Sequence, residues 1–218
     1  MRIDPHCRFR VRRMYLSPKA FAVAGSIEYE QMFHVKHRTP VSPISIKEAV
    51  VTEPQRIEHP LAPVFDERSR VLVLGTMPSP VSREVGFYYG HPQNRFWKVL
   101  AALFDEPVPE TNEERAALAL EHRIALWDVL ASCTIEGASD ASIKDAVPNN
   151  LSIIVDVAPI EAVVTTGAKA SALFRAYDAA LAERLVHIAL PSTSPANARM
   201  RTSDLVEAYR PLKDALAG

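Results

Sequence analysis

Arg70-Val71-Leu72-Val73-Leu74-Gly75-Thr76-Met77-Pro78-Ser79 decides how the rest of the chain is read. Four consecutive apolar residues closed by a glycine and a proline predict a short strand buried on both faces, which belongs in a parallel sheet covered by helices. Gly75 permits a turn that a side chain would obstruct and Pro78 fixes the exit, so the backbone amides between them can face a ligand. An ordinary strand-to-helix turn has the same signature. A phosphate loop or dinucleotide fingerprint is excluded, because Gly75 stands alone. Just beyond lies Gly86-Phe87-Tyr88-Tyr89-Gly90-His91-Pro92-Gln93-Asn94-Arg95-Phe96-Trp97, which crowds aromatic, amide and basic side chains together. Ligands of open α/β sheets bind at the carboxyl ends of strands, so a site is expected there.

Working outward, apolar runs at 71–74, 124–127, 162–166 and 185–190 predict four short strands, and apolar residues recur at helical spacing over 94–104, 112–122, 150–157, 168–182 and 203–216. Several of those helical stretches begin near Asn, Thr or Ser, the residues that cap helix starts. The fold class expected is α/β: three α/β/α layers around a short, mainly parallel, four-stranded sheet. Three polar segments fall at carboxyl ends of these strands and should converge on one cleft. They are Gly75 to Ser79, Thr166-Gly167-Ala168-Lys169, and Pro191-Ser192-Thr193-Ser194-Pro195-Ala196-Asn197.

Composition bounds the rest. A chain of 218 residues with 48% hydrophobic and 23% charged residues has the make-up of a soluble globular protein, one domain plus an extension. No apolar run approaches the roughly 18 residues of a membrane span, and no secretory signal is evident, so the expected location is cytoplasmic. Cys7 and Cys133 cannot build a disulfide framework or a four-cysteine metal site, and no histidine pair has helical zinc spacing; no metal and no cofactor are expected. Residues 1–40 carry eight Lys+Arg against three Asp+Glu, so Arg8-Phe9-Arg10-Val11-Arg12-Arg13 is a candidate nucleic-acid arm on a chain of net charge -1. Residues 1–60 lack either structural period and are broken by prolines at 5, 18, 40, 43, 54 and 60, which predicts a disordered or non-native extension ahead of a domain spanning 61–218. Met32-Phe33-His34-Val35-Lys36-His37 can be encoded by a perfect DNA inverted repeat resembling bacterial chromosome-partition sites. Translated intergenic DNA, with the natural start downstream, would account for it.

Gly75-Thr76-Met77-Pro78-Ser79, His91-Pro92-Gln93-Asn94-Arg95-Phe96-Trp97-Lys98, the 190–197 segment and Leu205-Val206-Glu207-Ala208-Tyr209-Arg210 together resemble the uracil-DNA glycosylase superfamily. They look most like its hypoxanthine-DNA (deoxyinosine) glycosylase branch. Mismatch-specific uracil glycosylases share the Asn-Arg-Phe-Trp block and the Val-Glu-Ala-Tyr-Arg helix. The resemblance runs from about residue 57 to the C terminus, with the segments in the family's order.

The resemblance implies monofunctional hydrolysis of the N-glycosidic bond of a deaminated base flipped out of DNA by a nucleoid-associated monomer. Departure of a base leaves an electron-poor sugar, so a positioned water, donors to the leaving base and a stacking face are all required. The base pocket implied is Gly75, Thr76, Met77, Pro78 and Ser79 with Phe87, Tyr88 and Tyr89, at least one of the three aromatics serving as core and Tyr89 as the stacking face. Met77 stands where most of the superfamily holds the water with Asp or Asn. Asn94 is the catalytic candidate in its place, accepting from water, and its alternative role is cap of the helix that follows. Lys169, Ser192, Thr193, Ser194, Asn197 and Arg199 are candidate DNA contacts. Ordinary loop polarity explains Ser192 and Thr193 equally well, and the 190–197 segment lacks the histidine usual in the family. No lysine is placed for a Schiff base, so no strand-cleaving step is expected. Other readings are a mismatch-specific uracil/thymine glycosylase and a non-catalytic DNA-binding module on the same fold. A nucleoside hydrolase is disfavoured by the missing acidic metal cluster.

Overall fold

The computed structural model describes residues 53–136 and 140–217; the basic arm, Cys7 and the inverted-repeat segment lie outside the described residues. In chain order these residues form β1 (Gln55–Glu58), β2 (Val71–Gly75), α1 (Pro80–Val85), α2 (Phe96–Phe104), α3 (Asn112–Glu121), β3 (Ile124–Asp128), β4 (Leu130–Ile135), β5 (Lys144–Pro148), α4 (Ser152–Val155), β6 (Ala162–Thr166), α5 (Ala168–Tyr177), α6 (Ala179–Arg184), β7 (Val186–Leu190), α7 (Thr202–Ala208) and α8 (Arg210–Ala217), with a 3-10 turn at Asp140–Ser142.

The four expected strands make one fully parallel sheet in the order β3-β2-β6-β7. β2, β3 and β6 are buried at every position, as strands covered on both faces must be. β7 is the more open of the two edges, and its Val186 is among the exposed large apolar residues. Register brings the strand ends level: Gly75 pairs with Asp128, and Thr166 with Leu190. Leu72, fully buried in β2, measures the core, since Leu→Ala at such positions costs about 2–5 kcal/mol.

A second sheet was not legible. Directly after Asp128 the chain leaves the parallel sheet, Val129 N–H bonding to Gly75 O and Leu130 N–H to Thr76 O. It then continues as β4, which pairs antiparallel with β1 on one side and β5 on the other. The expected domain boundary at residue 61 therefore moves: Gln55 to Glu58 lie opposite Ile135 to Ser132, and folded structure begins before the sequence pattern does. β1 escaped notice because it is a four-residue edge strand with only Ile57 turned inward.

Other differences have local causes. The helix expected over 203–216 breaks at Tyr209 because Pro211 cannot donate to an earlier carbonyl. The helix expected over 168–182 breaks at Asp178, which sits outside the helical region at φ -121°. The unexpected α1 has ordinary signals: Ser79 caps it by accepting from Ser82 N–H, Pro80 starts it, and Gly86 ends it at φ 75°. α3 opens on a capping box in which Thr111 and Glu114 exchange bonds. Cys133 is a buried free thiol in β4. No helix among the described residues is long and apolar enough to cross a membrane.

Candidate active site

The level strand ends open into a cleft of about 640 Å³. Gly75, Thr76, Met77, Pro78 and Ser79 line it, with Tyr88, Tyr89, Asn94, Asp128, Asp140 and Thr166, and Ser192, Ser194 and Asn197 close one side. The three expected segments do converge. Phe87, Lys169 and Arg199 are not among the lining residues. Phe87 instead packs edge-on against Tyr88 and tilted against Trp97. Arg199 is exposed on the 191–200 loop, and Lys169 is half-buried in the first turn of α5.

The three aromatics of the Phe87-Tyr88-Tyr89 run have separate roles. Tyr88 is 3% exposed; its hydroxyl donates to Leu61 O and Ala62 O, and its own carbonyl accepts from Trp97 Nε1–H, so it is mainly core. Tyr89 stacks on Phe96 with ring centroids 3.8 Å apart and planes 16° off parallel, and it also lines the cleft. Its hydroxyl lies 3.2 Å from Thr166 Oγ1, which itself donates to Leu74 O, so the phenol is the donor and the ring is pinned at its far end. Tyr89 holds φ 53°, a left-handed conformation uncommon for an aromatic residue. Burial, with Asp128 nearby, pushes its hydroxyl well above the ordinary tyrosine pKa.

The hydrogen bonds of Asn94 fit the helix-start role and close off the water-accepting one. Its Oδ1 accepts from Phe96 N–H at 3.0 Å, capping the first N–H of α2 from one residue ahead of the N-cap Arg95, and from Thr193 Oγ1–H at 2.8 Å. Both lone pairs of the amide oxygen are thereby filled, so accepting from water, as the sequence suggested, is not open to it. Turning the amide over would set NH2 against the Phe96 N–H, donor on donor, which fixes the orientation. Nδ2 has no hydrogen-bond partner among the described residues, and it is the group Asn94 offers the cleft.

The loop bearing Thr193 is held from α2's first turn. Arg95 Nε donates to Thr193 O at 3.2 Å, Nη2 to Ser194 O at 2.7 Å and Asn197 O at 2.9 Å, and Nη1 to Met200 O. One guanidinium fork thus collects four backbone carbonyls, geometry a lysine cannot reproduce. Thr193, 1% exposed, supports Asn94 and cannot reach DNA. Asn197 Nδ2 donates to Ser192 O, and Ser194 Oγ accepts from Ala196 N–H, so these polar side chains partly shape their own loop.

Two carboxyls in the cleft wall, and a histidine bonded to one of them, carried no signal in the sequence reading. Asp128, 5% exposed, ends β3 and takes a 2.8 Å hydrogen bond from His59 Nε2 at Oδ2. Its Oδ1 lies over Gly75, only 2.2 Å from where a Cβ on that residue would stand, so the bare backbone of Gly75 makes room for the carboxyl. Burial raises the Asp128 pKa, against the pull of the His59 bond. Asp140 accepts from Thr76 Oγ1–H at 3.1 Å, and burial also raises its pKa, opposed by Thr76 and Lys169. Asp128 does stand at the carboxyl end of the second expected strand, where ligands of such sheets bind. His59 lay in the stretch read as extension, and Asp140 carries no sequence signal.

Residues 62–213 match the Uracil DNA glycosylase superfamily, and the chain belongs to that superfamily. Among its relatives, a hypoxanthine DNA glycosylase of Methanosarcina barkeri is 41% identical over 98 residues, 44% of this chain and 62% of the relative. One of Methanosarcina acetivorans is 35% identical over 97 residues, 44% of this chain and 61% of the relative. The chain therefore spans a little over three-fifths of the length of these relatives. The solution NMR structure of a Methanosarcina acetivorans protein provisionally assigned as a uracil DNA glycosylase superimposes with a TM-score of 0.60 at 29% identity, covering 73% of this chain and 99% of that one.

Proposed function

We propose that this protein is a monofunctional DNA repair glycosylase that flips deaminated bases out of DNA and hydrolyses their N-glycosidic bond, hypoxanthine being the preferred base. The observation that carries the reading is the Phe96-Tyr89 stack, which presents a pinned aromatic face to a cleft with Asn94 on its wall. A flipped base laid on Tyr89 extends that stack by one ring, which is worth about 1–3 kcal/mol. The volume, about 640 Å³, is ample for a purine nucleotide. The names of the two Methanosarcina relatives favour hypoxanthine over uracil.

In this reading Asn94 Nδ2–H donates to the oxygen of the attacking water and holds it against the sugar. The bond to the base stretches first, and the electron-poor sugar then captures that water, so position matters more than strong deprotonation. Met77, which lines the cleft, lends shape and no hydrogen bond of consequence. Ser192, Ser194 and Asn197 border the flipped nucleotide, with Lys169 and exposed Arg199 toward the DNA backbone, and the enzyme acts on DNA as a monomer.

The test is a panel of duplexes carrying hypoxanthine, uracil or no lesion, with enzyme in excess. Hypoxanthine release leaving an intact strand with an abasic site is expected. Faster release of uracil would shift the assignment to the mismatch-specific relatives, and tight lesion binding with no release would make the protein a binding module.

A further inference from the structure

The Asp128 carboxyl is not used by the reaction described so far, and its setting is unusual. His59 Nδ1 accepts from Leu61 N–H at 3.2 Å, so that nitrogen carries no proton and the ring proton resides on Nε2, facing Asp128 Oδ2. A histidine held in this tautomer is a neutral donor. The two side chains are 2% and 6% exposed. The other titratable groups facing Asp128 are the phenols of Tyr88 and Tyr89 and the carboxyl of Asp140, none of them a cation. An ionised Asp128 would be a buried charge facing one hydrogen-bond donor and no other cation, and burial shifts it toward the protonated form against the pull of His59. With Oδ2 occupied by His59, the proton belongs on Oδ1, which has no hydrogen-bond partner among the described residues and lies over Gly75 in the cleft wall.

We propose that Asp128 is a general acid whose Oδ1–H protonates N7 of the flipped purine as its C1′–N9 bond breaks. The inference rests on the glycosylase reading above. The electron pair of the C1′–N9 bond goes to N9, and the base leaves as neutral N7-protonated hypoxanthine. The positively charged sugar takes water at C1′ and loses one proton to solvent, and solvent returns a proton to Asp128 for the next turnover. A purine offers N7 along this edge, whereas uracil has no such nitrogen, so the same carboxyl favours purine release. His59 is a positioning residue that directs the acidic proton to Oδ1.

Raised by burial, and raised further by the Asp140 charge, the Asp128 pKa sets the alkaline limb of the rate. Single-turnover hypoxanthine release is measured between about pH 5 and pH 9. Wild type should slow as pH rises through the folded Asp128 pKa. Asp128→Asn, whose amide oxygen can still accept from His59, should lose that limb and fall by about 10²–10⁴-fold at low pH while binding the duplex unchanged. His59→Phe removes a bond that lowers the pKa and should move the limb to higher pH, which a purely structural histidine would not do. A duplex containing 7-deaza-2′-deoxyinosine tests the step in the wild-type protein, whatever the folding of the variants. The wild type should lose a comparable factor on it, and Asp128→Asn should add no further loss. Release of the 7-deaza base at the wild-type rate, or a limb kept in folded Asp128→Asn, overturns the proposal. No hypoxanthine release by wild type at any pH overturns the glycosylase reading and this step with it.

Discussion

The floor and the rim of the cleft are built differently. The floor consists of strand ends in register, where Gly75 lies opposite Asp128 and every position of β2, β3 and β6 is buried. The rim is the 191–200 loop, which has no ladder of its own and takes its shape from Arg95 and from the Thr193 bond to Asn94. Floor geometry is therefore set by the whole core. Rim geometry hangs on a few side-chain bonds, those of Arg95 foremost, and the two regions should respond differently to substitution.

The largest effect is expected where the rim meets the chemistry. Asn94→Ala removes the Nδ2 donor, the α2 cap and the partner of Thr193, and loss of one such donor typically lowers the rate about 10²–10³-fold. Losing the cap adds about 1 kcal/mol of instability, to be read from a denaturant melt beside the rate. If the melt changes and the rate does not, Asn94 is a cap alone. Arg95→Lys should break the comparison at the rim: one ammonium cannot serve four carbonyls, and losing charge-assisted bonds costs about 1.5–3 kcal/mol each, without simple additivity. Amide exchange should then rise at 193–200 and stay slow in β2 and β6. Tyr89→Ala probes the floor's platform and should weaken lesion binding by about 1–3 kcal/mol, measured as Kd for an inosine duplex.

A smaller effect has the opposite sign. Burial raises the Asp128 pKa, so the folded state holds that proton more tightly than the unfolded chain does. Stability from this group is complete below the ordinary 3.8 and is lost as pH rises through the folded value. Asp128→Asn should flatten this dependence and raise the melting midpoint on the alkaline side, stabilising the protein while harming its chemistry. Equal pH dependence of the two melts would contradict a buried, uncompensated acid at the floor.

The same contrast explains what the sequence disclosed. The parallel sheet was legible because strands buried on both faces must be continuous apolar runs, as at Val71 to Leu74. The rim was legible because Asn94-Arg95-Phe96-Trp97 and the Ser192 to Asn197 segment are local strings of family motif. The floor's chemistry was not. Asp128 and His59 are 69 residues apart and meet only because β1 pairs with β4 after the chain changes sheet at Val129. No local period records such a meeting. Arg95 was visible as a basic residue, yet its role lies in backbone carbonyls about 100 residues away, which carry no side-chain signal.

The most direct measurement is single-turnover release of free hypoxanthine from an inosine-containing duplex, by wild type and Asn94→Ala side by side, with folding checked by circular dichroism. The account predicts release by wild type, and release slowed about 10²–10³-fold by folded Asn94→Ala. Equal rates from the two proteins would contradict the place given to Asn94, and no release from wild type would contradict the glycosylase assignment itself.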